Sequence, residues 1–168
     1  MGRDKRSEAK QEHFTKMVRS TMETPAWRAL TPVAQALYPW LKLEWRGPQN
    51  NNNGKIRLSV RQAAEYLGIN MKTAARGFHD LQAKGFLYVT EPARLGVGGD
   101  AKSPSYEITE IALPHGGTNG GRKLYKEWRD GADFPVHKAT SHNPQGSNGK
   151  TKPCPQNGNS TVVKFGTK

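Results

Sequence analysis

Apolar residues recur at helical spacing in four stretches of the chain and alternate with polar residues in three shorter ones. The helical stretches are residues 14–22, 32–46, 60–67 and 71–84. The alternating stretches, which predict short strands, are residues 55–58, 86–89 and 106–109. This order and balance of elements predict an α+β fold that is mainly α.

Local signals mark where these helices begin and end. Thr31-Pro32 offers an N-cap followed by proline at the first helical position, and Pro39 predicts a bend in that helix. Ser59 opens the next helix with the Ser-x-x-Gln spacing of a capping box, and Gly85 is the expected C-terminal glycine of the last one. Within the helix that follows Thr31, the apolar stripe predicts five buried residues, namely Val33, Ala36, Leu37, Trp40 and Leu41.

The last two predicted helices are joined by only three residues, 68–70, and Asn70 is suited to cap the second of them. On a helical projection the second helix has an apolar face formed by Ala74, Phe78 and Leu81. Its basic side chains lie almost opposite and are Lys72, Arg76 and His79. Such a pair can place the second helix in a major groove. The alternative is a solvated surface helix in which Arg76 pairs with Asp80.

Net charge, apolar runs and the cysteine count narrow the classes of partner and the location expected for the chain. The 168 residues carry a formal net charge of +12, from 26 basic and 14 acidic residues, which favours a polyanionic partner. No apolar run approaches the roughly 20 residues of a membrane span, and the first residues lack the apolar stretch of a signal peptide. The single cysteine excludes an internal disulfide framework. The chain is therefore expected in the cytoplasm, associated with the nucleoid and not with a membrane.

Composition divides the chain into four parts. Residues 1–12 are polar and predict a flexible arm, and residues 13–113 hold the regular pattern of one domain. Residues 114–138 predict an extended segment with a short helix at 123–131, and its sequence DFPVH is typical of a docking segment. Residues 139–168 predict a disordered basic tail, because they offer no apolar face to bury. The basic residues after Pro114, which can add non-specific phosphate affinity, are Arg122, Lys123, Lys126, Arg129, Lys138, Lys150, Lys152, Lys164 and Lys168.

The region from about residue 14 to residue 113 resembles the winged helix-turn-helix domains of bacterial transcription regulators and of phage and plasmid replication initiators, of the kind found on proteobacterial mobile elements. The resemblance is carried by TPAWRALTPVAQALY, NNGKIRLSVRQAAEYLGINMKTAARGFHDLQAKGFLYV and SYEITEIALP. It implies a helical core with a two- to three-stranded β wing. The recognition helix, about residues 71–84, would enter the major groove, and the wing, residues 86–109, would contact the backbone or minor groove. The sequence departs from the common pattern at Pro39 and Gly77.

Ten residues of this region are predicted to contact DNA. Lys72 and Arg76 suit guanine O6 and N7, and Arg76 can form two parallel bonds there. Thr73 can touch a phosphate or a thymine methyl group, and Met71 can make apolar contact there, whereas His79 is expected on the backbone. The wing supplies the two basic residues nearest its tip. The complete predicted set is Ser59, Arg61, Asn70, Met71, Lys72, Thr73, Arg76, His79, Arg94 and Lys102.

The leading hypothesis is a sequence-specific double-stranded DNA-binding protein that regulates transcription. Within DNA binding, the alternatives are a replication initiator and a recombination directionality factor of a mobile element. A protein-interaction adaptor that docks a partner through its C-terminal segment is the alternative from another class. An RNA-binding role is disfavoured, since no aromatic-rich surface strand is evident. A homodimer stays open as an assembly.

Enzymatic readings find little support in the residues. GVGGDAKS lacks the spacing of a Walker-type phosphate loop, and no nucleophile lies in a defensible relation to a base. The set His115, His137, His142 and Cys154 lacks the tight paired spacing of zinc ligands. The chain is therefore expected to be no enzyme and to need no metal or cofactor.

Overall fold

The computed structural model describes residues 13–95, 101–114, 116 and 120–138. The helices are α1 (Arg19–Met22), α2 (Pro25–Arg28), α3 (Pro32–Leu43), α4 (Val60–Leu67) and α5 (Met71–Ala83). The strands are β1 (Leu87–Glu91), β2 (Arg94–Leu95), β3 (Ala101–Lys102) and β4 (Ser105–Ile108), and a 3₁₀ turn spans Leu124–Lys126. The fold is α+β and mainly α, as the order of elements predicted.

Helices α3 and α5 approach each other closely at Gly77. A Cβ added there would lie 3.2 Å from a methyl group of Val33 and 3.4 Å from one of Leu37. Contact of this kind explains a glycine inside a helix, where it otherwise costs about 1 kcal/mol relative to alanine. Helix α3 itself runs without interruption through Pro39.

The buried stripe of α3 differs from the predicted one by a rotation of about one residue. Ala36 is exposed and Trp40 is 36% exposed, so their prediction as core residues was wrong. Tyr38 is fully buried instead, because its hydroxyl donates to Glu110 at 2.8 Å and its ring packs edge-on against Trp27 and Phe86. The buried residues of α3 are Ala34, Leu37, Tyr38, Leu41 and Lys42.

The signals at the ends of α4 and α5 are confirmed. The hydroxyl of Ser59 accepts from the backbone N–H of Gln62 at 3.1 Å, and the Gln62 side chain accepts from the Ser59 N–H. Gly68 ends α4 at φ 63°, in the left-handed region that glycine adopts without strain. Asn70 caps α5 by accepting from the Thr73 N–H at 2.8 Å. These short-range bonds fix the turn between the two helices.

The strands form two antiparallel ladders. β1 pairs with β4, with Leu87 opposite Ile108, and β2 pairs with β3. Residues 91–105, between the last two predicted strands, were expected to be a loop, and the β2–β3 ladder was not anticipated. The strand predicted at 55–58 was also wrong, since only Ile56 forms a bridge there, to Tyr106.

The first described residues are less helical than predicted. Of the stretch 14–22, only α1 is helical, and Phe14 is 82% exposed. A second short helix, α2, begins at Pro25. Thr24 is its N-cap residue, and the Thr24 hydroxyl accepts from the Trp27 N–H. The predicted arm, residues 1–12, lies outside the described residues.

Residues 120–138 fold back over the domain. The N–H of Lys123 donates to the carbonyl of Thr109 at 2.7 Å, and the Tyr125 ring stacks on Phe86 at 4.7 Å. The short helix predicted within 123–131 is present as the 3₁₀ turn. The predicted tail, residues 139–168, lies outside the described residues.

A buried carboxylate ties the N-terminal helices to the strands. Glu110 follows β4 and accepts from the hydroxyl of Thr21 at 2.7 Å, from that of Tyr38 and from the ammonium of Lys42, both at 2.8 Å. The side chains of Lys42 and Glu110 are 6% and 9% exposed. This hydrogen-bonded pair therefore holds α1, α3 and the end of β4 together.

Candidate nucleic-acid interface

The exposed face of α5 carries the basic side chains that the helical projection placed there. Lys72 and Arg76 are exposed, and Met71 is 60% exposed at the first helical position. Thr73 and His79 flank this face and are half-buried. The opposite face is buried and consists of Ala74, Gly77, Phe78 and Leu81.

The packing of α5 fixes the direction of this face. Phe78 stacks on Tyr106 of β4 with ring centroids 5.4 Å apart. On the other side, Asp80 accepts from the backbone N–H of Thr31 at 2.7 Å and from its hydroxyl at 2.9 Å. The alternative in which Asp80 pairs with Arg76 is therefore not what the described residues show. Arg76 keeps its guanidinium on the exposed face.

Two of the predicted contact residues act as caps. The side-chain oxygens of Ser59 and Asn70 accept from backbone N–H groups of α4 and α5. They position the helices, and Asn70 holds the first turn of α5, where the helix dipole favours an anion. Arg61 is exposed on α4, two residues after Ser59.

The strands place a basic hairpin beside α5. Arg94 on β2 is in register with Lys102 on β3, and the Lys102 side chain is exposed. A groove of about 310 Å³ lies between α5 and the strands β1 and β4, and it reaches the residues that flank the hairpin. It is lined from α5 by Ala75 and His79, and from the strands and their connections by Val89, Ala93, Pro104 and Tyr106. Thus α5 forms one wall of the groove, and β1, β4 and the residues next to the hairpin form the other.

The C-terminal end of α5 has a neighbour that sequence reasoning missed. His137 lines the same groove as His79, and its backbone N–H donates to the Gln82 side chain at 2.9 Å. Burial, and secondly the charge of Lys138, lower the pKa of His79 below 6.5. The sequence indicated a docking segment at DFPVH, residues 133–137. No pattern within that segment indicates that it packs against α5.

Some of the basic residues predicted to add phosphate affinity have internal partners. Arg122 donates to Glu107, whose side chain is 3% exposed, through two bonds of 2.8 and 2.6 Å. Its guanidinium also lies 4.5 Å from the centre of the Tyr88 ring. Its prediction as a phosphate contact is therefore not supported, because this charge neutralises a buried carboxylate.

The described residues contain neither a cluster of metal ligands nor a helix that could span a membrane. Among residues 13–95, 101–114, 116 and 120–138, no three His, Cys, Asp or Glu side chains are grouped as a metal site requires. Residues His115, His142 and Cys154 lie outside these ranges. Nor does any described helix combine the length and apolar character needed to cross a membrane.

Comparison of the chain with protein-family models, with curated proteins and with solved structures finds no match. The case for a function consequently depends on the geometry of α5, the hairpin and the residues between them.

Proposed function

We propose that the chain is a sequence-specific double-stranded DNA-binding protein of the winged helix-turn-helix type, and that it regulates transcription at the nucleoid. In this proposal α4 and α5 are the helical pair, α5 is the recognition helix, and β1 to β4 form the wing. The carrying observation is the exposed basic face of a capped helix beside a basic hairpin.

Base readout is assigned to the first half of α5. A B-DNA major groove is about 12 Å wide and admits one helix. Lys72 and Arg76 lie one turn apart on the exposed face, so they can reach neighbouring base pairs. Arg76 suits a guanine through O6 and N7, and Met71 offers apolar contact to a thymine methyl group.

Phosphate contacts are assigned to the edges of the surface. Thr73 is half-buried on one flank of α5, and Lys102 is exposed on β3 of the hairpin. These positions suit backbone contacts, which set register without reading sequence. The formal charge of +12 adds a non-specific, salt-dependent attraction to any duplex.

The test is genome-wide footprinting of the tagged protein, followed by gel shifts on the recovered sites and on scrambled duplexes of equal length. A recovered motif that the protein prefers over the scrambled duplex supports the proposal, and sites in promoters support regulation. Sites confined to an origin or to a recombination site would favour the initiator or directionality factor. Equal binding of both duplexes, or none, would contradict sequence-specific recognition and favour the adaptor.

A further inference from the structure

Residues 133–138, here called the strap, are held along the C-terminal end of α5. Asp133 accepts from the ammonium of Lys84 at 2.6 Å and from the indole N–H of Trp128 at 2.8 Å. The N–H of Phe134 donates to the carbonyl of Ala83 at 2.9 Å. These bonds anchor the first half of the strap to the end of the helix.

The second half of the strap is fixed through a buried amide. The N–H of His137 donates to the side-chain oxygen of Gln82, which is 5% exposed. The amide nitrogen of Gln82 in turn donates to the carbonyl of Phe78 at 3.1 Å. The backbone of His137 is thus positioned by α5 itself, while its side chain is exposed at the groove.

Two histidine side chains line the groove where it reaches this end of α5, and a lysine follows the second of them in the sequence. The two histidines are His79 and His137. Lys138 follows His137 directly and is exposed, and its charge helps to lower the pKa of His79. The neighbouring carboxylates are engaged elsewhere, since Asp80 binds Thr31 and Asp133 binds Lys84. The remaining described lining is apolar apart from Gln82 and the hydroxyl of Tyr106.

We propose that His79, His137 and Lys138 together bind one phosphate of the DNA backbone. The inference rests on the proposed function and adds a contact at the end of α5 opposite the base-reading end. Phosphate oxygens accept hydrogen bonds from imidazole N–H groups and from ammonium, and Lys138 adds a positive charge beside the two imidazoles. The C-terminus of a helix carries a partial negative charge, which disfavours phosphate. The basic side chains must therefore supply the attraction for phosphate there.

The assignment is to a phosphate and not to a base. His79 is half-buried beside the strap, whereas the long exposed side chains Lys72 and Arg76 occupy the centre of the face. Removing a phosphate contact should weaken binding to all duplexes alike and lower the salt slope, without changing sequence preference.

The experiment compares the full-length chain with the double variant His137→Ala/Lys138→Ala. The matched control, His13→Ala/Lys16→Ala, removes the same two residue types at exposed positions outside the groove. Binding to the recovered site and to a scrambled duplex is measured by fluorescence anisotropy across a salt series. We expect the variant His137→Ala/Lys138→Ala, here called the groove variant, to lose affinity severalfold for both duplexes. The slope of its log binding constant against log salt concentration should be smaller in magnitude by about 0.9.

A second arm locates the phosphate. Single methylphosphonate substitutions, which remove one backbone charge, are scanned along the recovered site. At one position the substitution should weaken binding by the wild-type chain as much as His137→Ala/Lys138→Ala does. The same substitution should have little further effect on binding by that double variant, the groove variant. A groove variant that behaves like the control, or one that changes the preference between duplexes, would overturn the phosphate assignment while DNA binding stands. A wild-type chain that binds no duplex would overturn both proposals.

Discussion

Arg76 is the single residue on which the proposed base readout depends most directly. Its side chain is exposed at the centre of the α5 face, and the nearby Asp80 is occupied by Thr31. We expect Arg76→Ala to weaken binding to the cognate site by about 1–3 kcal/mol and to relax preference at one base pair, as loss of a bidentate guanine contact does. Gel shifts on the cognate site and its single-base variants measure both effects.

The control for Arg76→Ala is Arg19→Ala. Arg19 is an exposed arginine on α1, where it pairs with Glu23 at 2.9 Å. Its removal takes away the same charge outside the proposed surface, so sequence preference should stay as in the parent. If Arg76→Ala discriminates between cognate and scrambled duplexes as well as Arg19→Ala does, Arg76 does not read a base.

Glu110 is a residue whose ionisation should be visible in the stability of the fold. Burial acts to raise its pKa, but the hydrogen bonds from Lys42, Thr21 and Tyr38, together with the charge of Lys42, outweigh burial. The net effect holds the pKa below 4.5. A carboxylate with a lowered folded-state pKa stabilises the protein above its unfolded-state pKa, and that contribution disappears as pH falls through the folded-state value.

We therefore expect Glu110→Gln to lower the free energy of unfolding by about 3–5 kcal/mol near neutral pH, because Lys42 would stay buried without its counter-ion. Denaturant titrations at several pH values measure this, and the variant should lose part of the parent's dependence on pH below about 4.5. Glu23→Gln removes an exposed carboxylate that is 57% accessible, and it should change stability by at most about 1 kcal/mol. Equal unfolding free energies for the two variants would contradict a structural role for the Lys42–Glu110 pair.

At the scale of elements, the contact between α4 and α5 leaves little room at Ala64. Its residue surface is 6% exposed, and its carbonyl accepts from the Ile69 N–H at 3.0 Å across the turn. A larger side chain must push the helices apart or stay strained. We expect Ala64→Leu to destabilise the domain by about 1–3 kcal/mol and to abolish specific binding at temperatures where the domain is folded.

Ala36→Leu is the matched control for Ala64→Leu, because Ala36 is exposed on α3. It should melt near the parent temperature and bind the same site. Ala83→Leu is unsuitable, although Ala83 sits at the end of α5, because its residue surface is only 8% exposed. Thermal melts and gel shifts on both variants decide the matter. If Ala64→Leu melts and binds like the parent, α4 and α5 do not act as a DNA-reading pair.

Elements were predictable where their signals are local. The cap at Asn70 and the glycine at Gly68 act within a few residues, and the structure confirms both. The face of α3 was not predictable in this way. Tyr38 is buried because its hydroxyl can donate a hydrogen bond to Glu110, which lies 72 positions further along the chain. An apolar pattern ranks Trp40 above Tyr38 for the core and contains no information about that partner.

In the candidate site, too, the residues placed by local patterns were predictable and those placed by long-range contacts were not. The basic face of α5 follows from helical periodicity, so Lys72 and Arg76 were found from the sequence. The position of His137 depends on Gln82, which lies 55 positions away. No short-range pattern connects these two residues, and the meeting of the strap with His79 therefore emerged only from the fold.

Across the whole molecule, the charge of +12 is only partly available to a partner. Arg122 and Lys84 neutralise Glu107 and Asp133 within the fold. Residues 139–168 carry four lysines and no acidic residue, and they follow directly after Lys138 of the strap. Should the strap contact a phosphate as proposed, this basic segment would begin beside the DNA.

Deletion of residues 139–168 should therefore lower affinity for every duplex while leaving sequence preference intact. The composition of this segment predicts disorder, because it has too little apolar surface to offset the entropy of ordering the chain. Its lysines would act by releasing counterions, so the salt slope should fall by at most about 0.9 for each lysine that reaches a phosphate. Anisotropy titrations of cognate and scrambled duplexes at several salt concentrations measure both quantities.

A second variant separates charge from chain length in this prediction. It keeps all 168 residues and replaces four lysines by glutamine, namely Lys150, Lys152, Lys164 and Lys168. Because the predicted attraction is electrostatic, this variant should match the deletion in affinity and in salt slope. A deletion that changes the ratio of cognate to scrambled binding would show that the segment reads sequence. Slow amide exchange throughout residues 139–168 in the free protein would contradict the predicted disorder, and the segment would then act as a folded element with contacts of its own.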